Sequence, residues 1–394
     1  MKLLVAFILA GLIYVIQRMV YRGIWNKNLD ADLSFEKDIL YEGEDNTLCE
    51  VIENRKYFPV PILQVKFSIT RTFLFKKQDN TSVTDKYYRN DFFTIMPWQK
   101  ITRAYPFTCS KRGFFNTDSI DLICRSFFMD EWMLETKYRM ANVCVLPRRI
   151  SHKEIDESVN NLIGEIEKNL RINEDPFTFA GIRDYQPFDN MRSINWKITA
   201  RHGDLLVNTY NSTFSQKVVL LLNVESNSML HNDEIAEWAI RIAAHLASHY
   251  ISMHIPTAFY TNCADVSMEQ NYTVKRGARK SEDTSPAEMG CPAIDAGADM
   301  SHIRAIEIAL ARLNTGITPA SFLLLMDERI RKSREKVEYV IISNYRKKDV
   351  TGRYEALLSE GYSIHFIVPE LNDTDSETEL DAARYTRWIR DIKM

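Results

Sequence analysis

The sequence lacks the features by which several classes of protein are recognised. None of its six cysteines is part of a CxxC pair, and their spacing fits neither a zinc site nor the dense disulfide framework of a small secreted protein. Basic and acidic residues nearly balance, 50 against 53, so the basic excess of a nucleic-acid-binding protein is absent. The sequence contains no glycine-rich phosphate loop and no HExxH metal motif. We therefore expect no nucleic-acid partner, and the scattered cysteines favour a reducing compartment.

An apolar run opens the chain. It extends without interruption from Leu3 to Ile16 and continues past Arg18 as far as Tyr21. A membrane-spanning helix needs about 20 apolar residues, which this run approaches if Arg18 reaches toward the headgroups. A cleaved signal peptide is the alternative, but the basic segment before the run is short and no small-residue cleavage site follows it. Basic residues such as Arg22 are denser after the run, which places the body of the protein in the cytoplasm. Residues 1–22 are therefore predicted to be a single-pass anchor in the cell membrane.

Two folded regions of different type follow the anchor. A chain of 394 residues is long enough for two domains, and hydrophobic residues make up 45% of it. Residues 33–150 contain β-branched and aromatic segments separated by turn signals, and ILQVKFSITRTF alternates apolar with polar residues. This pattern predicts a β-sandwich. Residues 151–180 are highly charged and predict a helical connector.

The region 215–394 has the alternation of an α/β fold. QKVVLLLNVE is a continuous apolar run, typical of a strand buried on both faces, and DEIAEWAIRIAAHLASHYIS carries a helical apolar stripe. Strand and helix patterns continue to alternate, which predicts a doubly wound parallel sheet with helices on both faces. The polar stretch between Cys263 and Ala298 is predicted to be a long surface loop, and residues 384–392 a terminal helix. The whole chain is thus predicted to be a multi-domain α+β protein: a transmembrane helix, a β-sandwich and an α/β domain.

Polar side chains follow two of the predicted strands. Asn223, Glu225 and Asn227 come directly after the first strand, and Asn344 follows a later one. Ligands of a doubly wound sheet bind beyond the carboxyl ends of its strands, and hard cations such as Mg²⁺ prefer carboxylate, carbonyl and water oxygens. Because one carboxylate with three amides is a poor ligand set, we expect no cofactor, with weak Mg²⁺ binding as the alternative. In the favoured interpretation these groups cap the following helix and close the crevice.

A dense polar segment, GIRDYQPFDNMRSINWKITAR, occupies residues 181–201. Asp189 is predicted to cap a helix that begins at Asn190, and Trp196 to be a buried indole whose N–H needs a partner. The arginines and aspartates are predicted to form an ion-pair lattice that braces two domains, and a docking surface is the second interpretation. Catalysis is the least supported, because the segment has no Ser/His or Cys/His arrangement. The candidate residues are Arg183, Asp184, Tyr185, Pro187, Asp189, Arg192, Trp196, Lys197 and Arg201.

The same segment closely resembles the signature of the domain-of-unknown-function 58 family. The matching residues are Arg183, Tyr185, Pro187, Asp189, Arg192, Ile194, Trp196, Lys197, Ala200 and Arg201. Phe188 departs from the pattern, because many members have glycine there. The resemblance also covers the order of segments: a membrane helix, a β-rich region containing KRGFF, the signature over residues 181–210, and the α/β domain.

The resemblance implies that residues 215–394 form a von Willebrand factor A-like domain. In such domains the first strand commonly ends in Asp-x-Ser-x-Ser, whose oxygens hold a divalent metal. Here the corresponding residues are Asn223-Val224-Glu225-Ser226-Asn227, so all three ligand positions have changed. The resemblance also implies a MoxR-type AAA ATPase as the partner.

Two histidines, His245 and His249, are four residues apart on a predicted helix, a spacing that can hold zinc. The segment HLASH lacks the glutamate of the HExxH motif, and no third ligand is evident. We therefore predict a polar pair at the edge of a core face.

Two functional hypotheses follow from these features. The first is a non-enzymatic, membrane-anchored scaffold that binds another protein and works with a MoxR-type AAA ATPase in a chaperone-like or assembly role. The second is divalent-metal-dependent ligand binding or adhesion at the degenerate site of Asn223, Glu225, Asn227 and Asn344. The absence of a catalytic arrangement and the loss of metal carboxylates favour the first hypothesis.

Overall fold

The computed structural model divides into two compact units, Met1–Arg148 and Arg149–Met394. The residues that the structure describes are 2–76, 81–83, 86–117, 119–125, 132–139, 141–151, 154–155, 157–171, 179–187, 189, 191–210, 217–225, 233–266, 290–318, 320–331, 337–345, 347–371 and 385–390. Each unit is built around its own hydrophobic core.

Helix α1, Lys2–Ile24, opens the first unit. Its segment Phe7–Ile24 has a mean hydropathy of 1.4 and is long and apolar enough to cross a membrane. The end of the helix belongs to the folded body, because Tyr21 and the following Trp25 are buried in the core of this unit. The ammonium group of Lys56 donates hydrogen bonds to the carbonyls of Ile24 and Trp25, which have no partner within the helix.

The rest of the first unit is β-structure, and its described part forms three sheets. The first has the order β1 (Leu29–Phe35), β3 (Asp45–Asn54), β8 (Lys100–Cys109), β5 (Phe73–Phe75). The second has the order β11 (Trp132–Lys137), β10 (Ile120–Arg125), β4 (Val60–Thr70), β7 (Lys86–Ile95), β6 (Thr81–Val83). The third has the order β2 (Ile39–Tyr41), β12 (Ala141–Leu146), β9 (Gly113–Thr117).

All three sheets contribute to one core. Leu48 and Ile52 of β3, Val65 of β4 and Val143 of β12 belong to the same buried cluster. The alternate residues of β3, Cys49 and Val51, are less buried, which is the period-two burial of a strand with one face toward a core. The alternation of apolar and polar residues in the sequence therefore places the apolar side chains in the core that the sheets share.

A cluster of charged groups is also buried in the first unit. The hydroxyl of Tyr105 lies 2.7 Å from Oε2 of Glu50 and 3.0 Å from Oδ2 of Asp91. Asp91 accepts hydrogen bonds from Arg89 at 3.3 Å and from Arg103 at 3.2 Å. Burial raises the pKa of the Glu50 carboxyl to about 7, and Oε1 of Glu50 is buried without a hydrogen-bond partner.

The second unit contains a six-stranded sheet in its described part. The order is β18 (Ala293–Gly297), β16 (Thr257–Thr261), β15 (Lys217–Asn223), β20 (Val337–Ser343), β21 (Ser363–Leu371), β22 (Tyr385–Arg390). All neighbours are parallel except β16 and β18. Numbered along the chain, the strands lie in the order 3-2-1-4-5-6, which reverses direction between β15 and β20.

Helices cover both faces of this sheet. The α-helices in the described part of the second unit are α2 (Glu157–Arg171), α3 (Trp196–His202), α4 (Asp233–Ser252), α5 (Met300–Ala311), α6 (Phe322–Arg331) and α7 (Lys348–Ser359). Leu220 of β15 shares a core with α2, α4 and α5, whereas the next residue, Leu221, shares a core with α6 and α7. Strand β15 is therefore buried on both faces, as its uninterrupted apolar sequence predicts.

Two local predictions for this unit are wrong. Residues Ala293–Gly297 lie in the predicted loop but form the antiparallel edge strand β18, although residues 267–289 lie outside the described part. Residues Tyr385–Arg390 form strand β22 instead of a terminal helix, because pairing with β21 satisfies their backbone groups. Trp388 of β22 is fully buried, and its ring meets that of Trp238 edge to face at 5.8 Å between centroids.

Candidate functional site

The carboxyl ends of the parallel strands bring together three buried polar residues. Asn223 ends β15, Ser343 ends β20, and Asn262 directly follows β16. This place is the switch point of the sheet, where neighbouring connections leave in opposite directions and open a crevice. Buried polar groups are costly unless they are hydrogen-bonded, so their partners determine what this crevice can do.

The three side chains form a connected hydrogen-bond network. Nδ2 of Asn223 donates to Oγ of Ser343 at 3.0 Å. Oδ1 of Asn223 accepts from the backbone N–H of Glu225 at 2.9 Å and from Nδ2 of Asn262 at 2.9 Å. Oδ1 of Asn262 accepts from the backbone N–H of Val224 at 3.3 Å. Both amides therefore use their donor and their acceptor inside the protein.

The orientation of the Asn262 amide follows from these partners. Its Nδ2 also donates to Oε1 of Glu225 at 3.1 Å, so one NH₂ group lies between the oxygens of Asn223 and Glu225. A flipped amide would place oxygen against those two oxygens and NH₂ against the N–H of Val224, which removes three hydrogen bonds. A donor thus occupies the position from which a cation would contact both oxygens.

Glu225 has a structural role at the start of helix α6. Its Oε1 accepts a hydrogen bond of 3.2 Å from the backbone N–H of Phe322, the first residue of that helix. A carboxylate at a helix N-terminus satisfies a free N–H group and interacts favourably with the helix dipole. The favoured prediction assigned capping to the helix after β15, whereas the helix that Glu225 contacts is α6.

The predicted metal ligands are only partly brought together. Asn223 and Glu225 meet through Asn262, as described above, and Asn344 is half-buried beside Ser343 and has hydrogen-bond or electrostatic partners of its own. Asn227 lies outside the described residues. Within the described part of the chain, no three His, Cys, Asp or Glu side chains are arranged to hold a metal ion.

Asn262 and Ser343 are the residues of this crevice that the sequence analysis missed. Both are polar residues at the carboxyl end of a buried strand, Asn262 after TAFYT and Ser343 at the end of VEYVIIS. That position is the available signal, because the carboxyl ends of parallel strands meet at one edge of the sheet.

The signature segment forms a small structure in the second unit. Strand β13, Phe179–Asp184, pairs antiparallel with β14, Leu206–Tyr210, and helix α3 lies between them in sequence. The side chain of Asn195 caps α3 by accepting from the N–H of Ile198 at 3.2 Å, and it also donates to Asn208 of β14 at 2.8 Å. Gly203 ends the helix with a φ of 88°, a conformation that favours glycine.

Arg183 and Asp189 form a bidentate ion pair within this segment. Nη1 and Nη2 of Arg183 each lie 2.6 Å from one oxygen of Asp189, and the backbone N–H of Gln186 donates to the same carboxylate at 2.8 Å. The Arg183 guanidinium and the Gln186 N–H lower the pKa of the Asp189 carboxyl. Asp189 therefore stabilises the turn after β13. A short 3₁₀ helix, Met191–Ser193, follows Asp189, and the α-helix of this segment begins at Trp196 with Asn195 as its cap. Asn190, where the predicted helix begins, lies outside the described residues, so the capping of a helix by Asp189 stays a prediction.

The remaining signature residues lie mostly at the surface. Trp196 is 61% exposed, so the prediction of a buried indole is wrong; among the described residues of the signature, Ile194 and Val207 are the buried apolar ones. Tyr185 is half-buried. The exposed members are Asp184, Pro187, Arg192, Lys197 and Arg201. The bracing of two domains by these charges stays a prediction.

The histidine pair on α4 is engaged with its surroundings. Nε2 of His249 lies 2.9 Å from Oε1 of Glu167 on α2, and the rings of His245 and His249 stack with centroids 6.3 Å apart. Both side chains are half-buried.

Comparison with solved structures gives matches of low similarity. They include the CARDB domain of a Pyrococcus furiosus protein in complex with di-metal ions, at 12% identity and a TM-score of 0.22, covering 30% of this chain and 94% of that one. A cohesin module from a Clostridium perfringens family 33 glycoside hydrolase matches at 11% identity and a TM-score of 0.23, covering 30% and 96%. The Bacillus subtilis sporulation control protein Spo0M matches at 13% identity and a TM-score of 0.17, covering 40% and 58%.

The family comparison concerns the second unit. No curated protein matches the chain. Residues 181–253, which comprise the signature segment, strand β15 and helix α4, match the family described as "Protein of unknown function DUF58". This match supports the assignment of the chain to the DUF58 family.

Proposed function

We propose that the chain is a membrane-anchored scaffold whose second unit binds another protein at the crevice of its sheet. The observation that carries the proposal is the closed hydrogen-bond network of Asn223, Asn262 and Ser343. Because donors of the protein already occupy Oδ1 of Asn223 and Oε1 of Glu225, a cation gains little there. A rigid, satisfied crevice floor suits recognition of a surface better than turnover.

Helix α1 supports the membrane part of the proposal. It is long and apolar enough to span a bilayer, and its last turn packs into the folded first unit. The excess of basic residues after the apolar run favours a cytoplasmic body. In this arrangement the chain holds its binding surface at the cytoplasmic side of the cell membrane.

A von Willebrand factor A-like fold is part of the same proposal. The strand order 3-2-1-4-5-6, the single antiparallel edge strand β18 and the helices on both faces are consistent with that fold. In that fold the usual metal position would correspond to Asn223 and Glu225, whose Oδ1 and Oε1 atoms accept hydrogen bonds from protein donors here. The proposed partner is a MoxR-type AAA ATPase, as the family resemblance implies, and the proposed role is chaperone-like or in assembly.

Photo-crosslinking in native membranes tests this function. A photoreactive residue replaces Leu324, which is exposed on α6 two residues after the N–H that Glu225 binds. The matched control carries the same group at Lys168, an exposed position on α2. We expect an AAA ATPase among proteins crosslinked at position 324 and not at 168. If no protein is enriched at position 324 over position 168, the proposed function is wrong.

A further inference from the structure

An exposed aromatic patch lies at one end of the first unit. We define it as Tyr57, Phe58, Met96 and Trp98, which belong to two loops, one between β3 and β4 and one between β7 and β8. Tyr57 is 81% exposed and Trp98 60%, and their rings meet edge to face with centroids 5.4 Å apart. Exposed side chains of this size are normal singly, but a cluster of four indicates an interaction surface.

The two loops are fixed to each other. Asn54 is fully buried, and its Nδ2 donates to the carbonyls of Phe58 and Met96, each at 3.0 Å. Its backbone N–H donates to the carbonyl of Gln99 at 2.9 Å. The patch is therefore presented on a built platform and does not depend on loop mobility.

Trp98 occupies a position that favours glycine. Met96, Pro97, Trp98 and Gln99 form a turn closed by a 3.3 Å hydrogen bond from the N–H of Gln99 to the carbonyl of Met96. The φ of Trp98 is 57°, at the third position of a turn where glycine normally supplies a positive φ. A bulky residue in this conformation is strained, and strain of this kind concentrates at functional sites. Here the strained conformation holds the indole of Trp98 at the surface of the protein.

The same platform is attached to the end of helix α1. The ammonium of Lys56, next to Tyr57 in the chain, donates to the carbonyls of Ile24 and Trp25. The backbone N–H of Arg55 donates to the carbonyl of Asn28 at 2.8 Å. The patch thus lies beside the residues where the apolar helix enters the body, at the end of the first unit that the membrane would meet.

The charges of these segments suit an anionic surface. Arg22, Lys27, Arg55 and Lys100 are exposed. Two acidic residues lie near them, and both are paired: Glu53 with Arg55 at 2.7 Å, and Asp30 with Lys137 at 3.3 Å and Arg139 at 3.2 Å. Basic residues beside a membrane helix attract anionic headgroups, while Trp and Tyr favour the level of the headgroups because their rings are apolar and their N–H and O–H groups are polar.

We propose that Tyr57, Phe58, Met96 and Trp98 insert into the interfacial region of the bilayer and hold the first unit against the membrane surface. This inference rests on the membrane anchor of the proposed function and adds a second contact with the same bilayer. The patch fixes the tilt of the body relative to the membrane, which a single helix leaves free. The alternative occupant of the patch, a protein partner, is an outcome of the following test.

Depth-dependent quenching of a fluorescent label tests the insertion. The full chain with Cys49→Ser and Cys291→Ser, which removes the two cysteines that are not buried, is reconstituted into vesicles of phosphatidylcholine and phosphatidylglycerol. A nitrobenzoxadiazole label is attached at Tyr57→Cys or, in a second variant, at Met96→Cys. The quenchers are a lipid spin-labelled near the headgroup, for labels at the membrane surface, and a lipid spin-labelled near the end of an acyl chain, for a label within the anchor. We expect a blue-shifted emission and a loss of intensity at both positions, with a smaller loss in pure phosphatidylcholine.

Two further labels serve as controls. The first is Leu74→Cys, at an exposed position. Leu74 pairs with Thr108, which lies about 27 Å along β8 from Lys100, at the opposite end of that strand. Gly11→Cys lies in α1, where a side chain meets open space. Quenching at positions 11, 57 and 96 but not at 74 supports the proposal.

Each other result overturns the inference in a distinguishable way. Quenching at position 11 without quenching at 57 and 96 retains the anchor and leaves the patch free for a protein partner. Quenching at position 74 as strong as at position 57 means that the first unit contacts the bilayer but that the patch has no specific role in the contact. No quenching at position 11 means that the anchor of the proposed function fails, and the patch then has no membrane beside it.

Discussion

The buried Glu50 carboxyl leads to a prediction about the effect of pH on stability. The single hydroxyl proton of Tyr105 cannot serve both Glu50 and Asp91, which lie 2.7 Å and 3.0 Å from its oxygen. The second of these two contacts of the Tyr105 oxygen therefore requires a proton on one of the two carboxyl groups. Asp91 already binds two guanidinium groups, whereas Oε1 of Glu50 has no partner, so the proton belongs to Glu50.

The magnitude follows from the pKa of Glu50, which burial raises from 4.5 to about 7. A group with a raised folded-state pKa contributes stability that is fully present below its unfolded pKa and is lost as pH rises to the folded pKa. The loss thus occurs between pH 4.5 and about 7, and 1.36 kcal/mol per pKa unit makes it about 3 kcal/mol. Glu50→Gln keeps a neutral side chain of the same shape and removes this loss.

Denaturation of the full chain in detergent micelles by urea measures the effect. We expect the stability of Glu50→Gln relative to the wild type to increase by about 3 kcal/mol from below pH 4.5 to above pH 7. Glu53→Gln on the same strand is the matched control. The Arg55 guanidinium lowers the pKa of the Glu53 carboxyl, so its removal costs stability above pH 4.5. A difference between Glu50→Gln and the wild type that stays constant over this range would refute the proton assignment.

Four further predictions concern the crevice, the patch and the signature. Asn262→Ala leaves the N–H of Val224 without a partner, and Oδ1 of Asn223 keeps only the N–H of Glu225, so the substitution should lower the free energy of unfolding by about 2 kcal/mol, measured by denaturation; an unchanged value contradicts the network. Asn262→Asp replaces the central donor with a carboxylate, so Mg²⁺ should raise the melting temperature of this variant and leave the wild type unchanged. Trp98→Gly should keep the free energy of unfolding within about 1 kcal/mol, because relief of the positive φ offsets the lost ring contact, and a large loss would show that Trp98 belongs to the core. Arg183→Ala should change the melting temperature little, since the ion pair is partly exposed, and a large loss of stability would favour the bracing interpretation.

Structural features that depend on a single helix or strand could be predicted from the sequence. The uninterrupted apolar run of β15 predicts burial on both faces, and the structure places alternate residues in two cores. The apolar N-terminal run likewise predicts a helix that is long enough for a membrane. In both cases the local composition decides the outcome, because the same residues are buried or apolar whatever the partner element is.

Structural features that depend on contacts with residues distant in sequence could not be predicted. The sequence of β22 predicts a helix, and pairing with β21 makes it a strand. The exposure of Trp196 is likewise not evident from the sequence of its own segment. Asn262 was missed because a single polar residue after a strand is common, and its role appears only when Asn223 and Glu225 lie within hydrogen-bond distance. The Trp98 turn was missed because a sequence does not display a positive φ at a residue that disfavours it.

Calorimetric titration of the full chain with Mg²⁺, Mn²⁺ and Ca²⁺ tests the central claim most directly, namely that the donors of the protein close the crevice between β15 and β20. The account predicts no heat of binding and no shift in melting temperature at millimolar metal, because Asn262 and the N–H of Phe322 already satisfy the oxygens of Asn223 and Glu225. Glu225→Gln is the matched control and should give the same flat titration. A saturable heat in the wild type that Glu225→Gln abolishes would contradict the account and make the crevice a metal site.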